Sequence, residues 1–282
     1  MEISVRVPAT TANLGPGYDA MGLSFNLYND FTFSKRKSKN NYQNNMIYQA
    51  FSKVFEEDRT PVPEIDIHVE GEIPIARGLG SSASCIIGGL MGANYFLDKR
   101  YSKDQLLAWA SELEGHPDNV APALLGGLVI SAEEEQRIYY YQTEVSSQLS
   151  YYVIVPDFEL KTSLARSVVP KEIPLADAVY NISRSNLVSR ALERGDMDLL
   201  RGVASDRLHE PYRKPLISGF EIFENIASKH RGVCFISGAG PTILIIGEQH
   251  NQSLYEALQN HKITRHQYDI LTVLPGKGAF YL

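Results

Sequence analysis

Residues 74–84 read PIARGLGSSAS, a glycine- and serine-rich loop that runs directly into a long apolar-periodic segment. Gly78 and Gly80 have no side chain to hold a ligand off the backbone, and Ser81, Ser82 and Ser84 place hydroxyls where a helix begins. From Ala83 onward, Ile86, Ile87, Leu90, Ala93, Asn94 and Leu97 recur at three- and four-residue steps, which predicts an amphipathic helix. The first turn of such a helix offers unpaired N–H groups and a partial positive charge. The loop is therefore read as a phosphate pocket, and a nucleotide as its first candidate ligand.

Downstream, Ser102 and Gln105 form a capping box that opens a helix over 103–114, closed by Gly115 and Pro117. A short HPDN turn, a helical piece over 120–125 and strands over 128–131 and 137–142 follow. Upstream, 3–7 and 26–33 read as strands flanking a turn-rich stretch, and 65–69 as a third. The polar run 143–150 marks the boundary, dividing the chain into 1–148 and 149–282. Beyond it, strands are expected over 151–155, 233–237, 242–247 and 268–274, helices over 175–194, 219–229 and 253–259, and a turn over 238–241. Strands and helices alternate without a long βαβ series, so the fold class is α+β. Tyr139 to Tyr141, Tyr151 and Tyr152 are expected to pack on strands, and Cys85 and Cys234 to be buried thiols, since no paired CxxC occurs.

Composition narrows the partners. With 282 residues, 44% hydrophobic and 21% charged, the chain suits a folded protein of about two domains. A net charge of −6 argues against nucleic acid, and the one basic run, 34–45, reads as a solvated loop. No segment reaches the roughly 18 apolar residues of a membrane span, and the N-terminus lacks a signal-peptide core, which makes the cytosol the expected compartment.

The loop admits two other readings. Gly78, Gly80 and Ala83 fit GxGxxA, with Asp98 near the place of a ribose-binding acid, so a dinucleotide-dependent oxidoreductase stays open; Glu72, Pro74 and Arg77 separate strand from loop and weaken the match. The same pattern at Gly15, Gly17 and Ala20 contains Pro16 and opens no helix. A nucleotide-binding regulator without turnover is the second. Walker, protein-kinase, GxSxG and HExxH motifs are absent.

Three segments in order, VPATTANLGPGYDAMGL (7–23), PIARGLGSSAS (74–84) and SGAGPT (237–242), resemble the motifs of the GHMP kinase superfamily, and PATTANLGPGYD with ELEGHPDNVAPALLGG (112–127) resembles its homoserine kinase branch. The resemblance implies an N-terminal domain like ribosomal protein S5 domain 2, a ferredoxin-like C-terminal domain, and transfer of the γ-phosphoryl of MgATP to L-homoserine in a cleft between them. Oligomeric state is left open, a homodimer included, as is another small-molecule acceptor. On this resemblance the nucleotide-binding set is Pro74, Arg77, Gly78, Leu79, Gly80, Ser81, Ser82, Ala83 and Ser84, with Asn45, Ile47 and Tyr48 toward the adenine. Ser82 and Glu112 are the magnesium ligands, Glu114 the fallback. Asp19 would take the acceptor's ammonium with Asn13 lining the same pocket, and Arg166 and Arg213 its carboxylate. His116 and Asn119 would lie near its hydroxyl, Asn119 standing where several relatives have an aspartate base, and Asp118 is read as a helix cap. Gly238 and Gly240 would bring a turn to the phosphates. The segment between 33 and 45 is shorter than in typical relatives.

Overall fold

The computed structural model describes all residues except 39, 43, 136 and 262–265. The chain opens with β1 (Glu2–Ala12) and β2 (Met21–Ser34), paired antiparallel along nearly their whole length. Both reach further into 8–22 than the polar PATTAN sequence suggests, because Thr10 and Thr11 are fully buried on the strand rather than solvated in a turn. The register shifts between Pro8 and Ala9, where proline has no N–H for the ladder.

Helix α1 (Met46–Asp58) is unanticipated, although Ile47, Ala50, Phe51, Val54 and Phe55 recur at helical steps and are buried. It follows the basic run, of which positions 39 and 43 lie outside the described residues. Arg36 there is exposed and paired with Asp66, whereas the Tyr42 hydroxyl accepts from the Ile67 amide and so ties the run to β3 (Asp66–Gly71). Then comes α2 (Ser81–Phe96), which is not amphipathic: every residue from Ile86 to Asn94 is buried. Its glycines make this possible, since a Cβ at Gly89 would sit 2.3 Å from the Ile47 carbonyl oxygen of α1, and those at Gly88 and Gly92 would strike Phe31 and Phe33.

Helix α3 (Lys103–Glu114) carries the expected capping box and ends on Gly115 in the left-handed region. HPDN is no free turn. His116 is the N-cap and Pro117 the first residue of α4 (Pro117–Leu125), a position where proline's missing N–H costs nothing. Strands β4 (Leu128–Glu134) and β5 (Arg137–Thr143) extend the first sheet as β1-β2-β4-β5, with β3 also on β2. Tyr139, Tyr140 and Tyr141 do not pack inward. All three are exposed, the hydroxyls of Tyr140 and Tyr141 reaching Asp104 and Glu193.

The second lobe begins with β6 (Leu149–Pro156), followed by α5 (Thr162–Ser167), α6 (Leu175–Arg194), α7 (Met197–Val203), the single turn α8 (Glu210–Arg213) and α9 (Phe220–Lys229). Next are β7 (Val233–Ile236), β8 (Ile243–Glu248), α10 (Gln252–Gln259) and β9 (Tyr268–Val273). The sheet order β7-β8-β6-β9, all antiparallel, is the ferredoxin-like β-α-β-β-α-β arrangement with extra helices in its first crossover. These antiparallel sheets offer no parallel βα switch point for a dinucleotide. The chain then leaves the second lobe: Pro275 and Lys277 bridge to Phe25 and Gly126, and β10 (Phe280–Tyr281) pairs with β1. Residues 275–282 thus join the first sheet and not the second.

One apolar cluster packs on the α1–α4 face of the first sheet and a second under α9 and α10. The third is shared, with Leu14, Leu23 and Phe25 meeting Tyr151, Val188 and Phe235, and it fixes the cleft between the lobes. Gly89→Ala should lower stability by about 1–3 kcal/mol through the clash with α1, despite alanine's better helix propensity. A urea midpoint no lower than wild type would show that α1 yields freely.

Candidate active site

The phosphate loop owes its path to close backbone contact. Gly78 and Gly80 have φ of +81° and +67°, and a Cβ on Gly80 would lie 2.0 Å from Thr10 Oγ1. A Cβ on Gly78 would lie 2.5 Å from the Ser237 carbonyl oxygen and 2.8 Å from that of Gly240, so the 237–242 turn abuts the loop as expected. Ser237 Oγ lies 2.6 Å from the Gly78 carbonyl oxygen and 2.9 Å from Thr11 Oγ1, and the Thr242 amide donates to the Arg77 carbonyl at 3.1 Å. Gly80 caps α2, whose first-turn amides at Ser81, Ser82 and Ala83 have no intrahelical acceptor.

The loop residues divide by what they present. Gly78, Gly80, Ser81, Ser82 and Arg77 line a cleft of ≈ 430 Å³ between the lobes. Leu79 and Ala83 are buried in the cores, and Ser84 donates to the Ser81 carbonyl oxygen, so these three offer only backbone. Pro74 leads into the loop without lining the cleft. Arg77 is spent on the second lobe, donating to the carbonyls of Pro156 and Asp157 and pairing with Glu159 at 3.2 Å. Asn45 caps α1 by accepting from the Tyr48 amide, while its neighbour Met46 reaches the cleft. Tyr48 lines a separate hollow with Tyr42, and Ile47 is buried. Cys85 is half-buried and lines the cleft, contrary to expectation.

The acids of α3 need a correction. Glu112 points out of the cleft toward α1 and pairs with Lys53 at 2.9 Å, its side chain 62% exposed. Glu114 lies two residues on, about 200° round the helix. Its carboxylate accepts from Ser82 Oγ at 2.6 Å and lines the cleft. Burial pushes the Glu114 carboxyl above its ordinary value, against the bond from Ser82 and the charge of His116. Among the described residues no lysine or arginine pairs with it. A half-buried carboxylate with a hydroxyl beside it and no lysine or arginine paired to it is a donor set suited to a hard divalent ion.

The acceptor side is built on the turn between β1 and β2. Asn13, Leu14, Gly15 and Asp19 all have positive φ, and Leu14, which tolerates this least, is wholly buried in the shared core. Asn13 ties the turn to the second lobe, donating to the Gly238 carbonyl at 2.7 Å and accepting from the Asp19 amide at 3.0 Å. Asp19 meets Arg166 of α5 in a bidentate pair at 3.0 and 3.1 Å. Arg213 is 1% exposed and donates to the carbonyls of Ala165 (3.0 Å) and Gly238 (3.2 Å), yet among the described residues it has no carboxylate in salt-bridge range. Desolvation lowers its affinity for a proton, but the guanidinium stays charged.

At the start of α4, His116 is the N-cap and no side chain caps the helix, so Asp118 is not the expected cap: it is 2% exposed, contacts His116 and lines the cleft. The ligand atoms of Asp19, His116 and Asp118 lie within 4.8 Å of one another. Burial draws the His116 pKa down, but the bond and charge of Asp118 more than offset this and raise it. Asn119 Oδ1 accepts from Thr10 Oγ1 at 2.8 Å, and its NH₂, lining the cleft, donates to Asp118 Oδ1 at 3.4 Å. Thr10, Thr11 and Tyr18 are cleft supports that motif reading passed over, although all three lie inside the PATTANLGPGYD segment.

Helix α8, which carries Arg213, is itself capped from within. Asp206 accepts from the amides of Leu208, His209 and Glu210 and from Asn181 Nδ2. Glu210 is wholly buried, accepts from the Ile236 amide at 2.9 Å, and sits 3.5 Å from Lys214 Nζ.

A family model for the GHMP kinases N terminal domain matches residues 45–127, and one for the GHMP kinases C terminal domain matches residues 188–264. The chain belongs to the GHMP kinase family, a class of ATP-dependent kinases. Within that family its relatives are homoserine kinases. That of Clostridium beijerinckii is 43% identical over 272 residues, 91% of each chain, and that of Crocosphaera subtropica 40% identical over 276 residues, 92% of this chain and 90% of the other. The crystal structure of homoserine kinase from Cytophaga hutchinsonii superposes with a TM-score of 0.87 at 25% identity, covering 100% of this chain and 97% of that one. Mevalonate diphosphate decarboxylase from Staphylococcus aureus shares the fold alone, at 0.75 and 15% identity over 100% and 98%.

Burial pushes the Glu210 carboxyl from its ordinary 4.5 up to about 7, against the pull of Lys214 and the Ile236 amide. A folded-state value above the unfolded one means that protonation stabilises the fold. This contribution is whole below about pH 4.5 and lost as pH rises through about 7. Glu210→Gln should therefore gain in Tm relative to wild type on going from pH 5 to pH 8. A difference that stays flat or shrinks would assign the titration elsewhere.

Proposed function

We propose that the protein transfers the γ-phosphoryl group of MgATP to the side-chain hydroxyl of L-homoserine, giving O-phospho-L-homoserine and ADP in the cytosol. The observation that carries this reading is the charge layout of the cleft. On one wall the start of α2 presents unpaired amides for polyphosphate. On the other, Asp19 and Arg166 satisfy each other across the lobes, beside the buried, anion-free Arg213. A zwitterion can enter that arrangement by exchange, its ammonium taking Asp19 and Asn13 and its carboxylate taking Arg166 and Arg213. A buried guanidinium without a counter-ion is costly, so Arg213 favours a carboxylate strongly.

The amides from Gly78 to Ala83 hold the phosphates. Ser82 and Glu114, not Glu112, would hold the magnesium ion, which when bound neutralises phosphate charge. Phosphoryl transfer asks mainly for alignment and charge stabilisation, and here Asn119 and His116 orient the acceptor hydroxyl. Asn119 cannot take its proton, since an amide is no base and its oxygen is already engaged by Thr10. The proton then departs on a phosphate oxygen or water.

A coupled ATPase assay across homoserine, mevalonate, galactose and shikimate tests the acceptor, and turnover with any but homoserine as the preferred one would overturn it. Ser82→Ala and Glu114→Gln should each lower kcat by ~10–100-fold, with Glu112→Gln within about twofold of wild type. Arg213→Ala should raise the homoserine KM by about 10–100-fold and spare the ATP KM. A loss at Glu112 equal to that at Glu114 would refute the metal assignment.

A further inference from the structure

One imidazole joins the two halves of the acceptor pocket. His209, just before α8 in the second lobe, is fully buried. Its Nε2 lies 2.9 Å from the Gly15 carbonyl oxygen in the β1–β2 turn, and its ring stacks on Tyr18 at 4.9 Å with 22° between the planes. From its other edge, Nδ1 faces Arg213 Nη1 at 3.4 Å. A carbonyl only accepts and a guanidinium only donates. The ring is therefore neutral, with its proton on Nε2 and a bare lone pair on Nδ1. Burial agrees, pushing its pKa down to about 4, with the Arg213 charge assisting and Asp206, 3.7 Å from Nε2, opposing.

The lone pair matters because Arg213 has few partners. Its Nη1 is shared between the Gly238 carbonyl oxygen and His209, and its Nη2 reaches Tyr18 Oη only at 3.5 Å. The turn that His209 grips through Gly15 is the one that carries Asp19 four residues later.

We propose that His209 is the positioning residue of the acceptor site, orienting the Arg213 guanidinium and tying it to the Asp19 turn, so that the carboxylate- and ammonium-binding groups keep the spacing of an α-amino acid. This rests on the reading of Arg213 as a carboxylate ligand. It assigns His209 no contact with substrate.

Two near-isosteres separate the ring's two bonds. Glutamine places its NH₂ near Nε2 and keeps the Gly15 contact, but leaves Arg213 without its acceptor. Asparagine places its oxygen near Nδ1, keeping that acceptor and giving up Gly15. Steady-state kinetics and Tm are measured for His209→Gln, His209→Asn, Arg213→Ala and the His209→Gln/Arg213→Ala double variant. Expected are a rise of about tenfold in homoserine KM for His209→Gln with ATP KM within about twofold, and a rise at least about threefold smaller for His209→Asn even where its Tm is lower. In the Arg213→Ala background, His209→Gln should add no more than about twofold.

The inference is overturned if Arg213→Ala raises homoserine KM while His209→Gln does not, if the two effects multiply, or if both His209 variants simply follow Tm. Should His209→Gln not fold, His209→Asn decides, and homoserine and ATP KM rising together would overturn it. An unchanged homoserine KM in Arg213→Ala is a different failure, since it removes the carboxylate reading itself along with this inference.

Discussion

Two glycine turns meeting backbone to backbone hold the site together. Gly78 of the first lobe lies so close to the Ser237 and Gly240 carbonyls of the second that it has no room for a methyl group. Two hydrogen bonds close the contact, from the Ser237 hydroxyl to the Gly78 carbonyl and from the Thr242 amide to that of Arg77. The geometry of the phosphate loop is thereby set from across the domain boundary. The same 237–242 turn supplies the Gly238 carbonyl that receives both Asn13 and Arg213, so the nucleotide and acceptor walls share one reference point.

Around that contact the charges are arranged by cost. Groups that find partners within the protein, Glu112 with Lys53 or Arg77 with Glu159, are solvated or paired and contribute little to binding. Among the described residues, Glu114 has no lysine or arginine and Arg213 no carboxylate in direct contact, and this unmet demand marks the cleft as a place for a cation and an anion. Asp206 and His209 show the contrasting case, a buried acid and a buried imidazole whose hydrogen-bonding capacity is met inside the fold. Their work is structural support for the arginine beside them.

Much of this was legible in the residues. The capping box at Ser102 and Gln105, the stop at Gly115, and the helix over 175–194 follow from local chemistry and hold in the structure. The glycine loop and the paired turn at 237–242 were readable because only glycine serves at such close approaches. What failed was phase and depth. Nothing local says whether Glu112 or Glu114 faces the cleft, because α3 shows a broad apolar face and the choice depends on where α2 lies. Helix α2 itself looks amphipathic, yet neighbours cover it on all sides, an outcome that depends on α1. Tyr139 to Tyr141 have the residue type of packed strand positions, but no apolar layer buries them on β5, and Tyr140 and Tyr141 meet the polar Asp104 and Glu193 through their hydroxyls. The one-turn α8 is too short to leave a periodic trace, although it carries Arg213.

The return of residues 275–282 to the first sheet has a mechanical meaning. The second lobe is an insert strung between β5 and β10 of the first, anchored by two separate threads. A body held by one tether can swivel and wander, whereas one held at two points can only rock about the line between them. Any relative turning of the lobes is therefore about one axis, fixed by the first sheet at both ends of the insert.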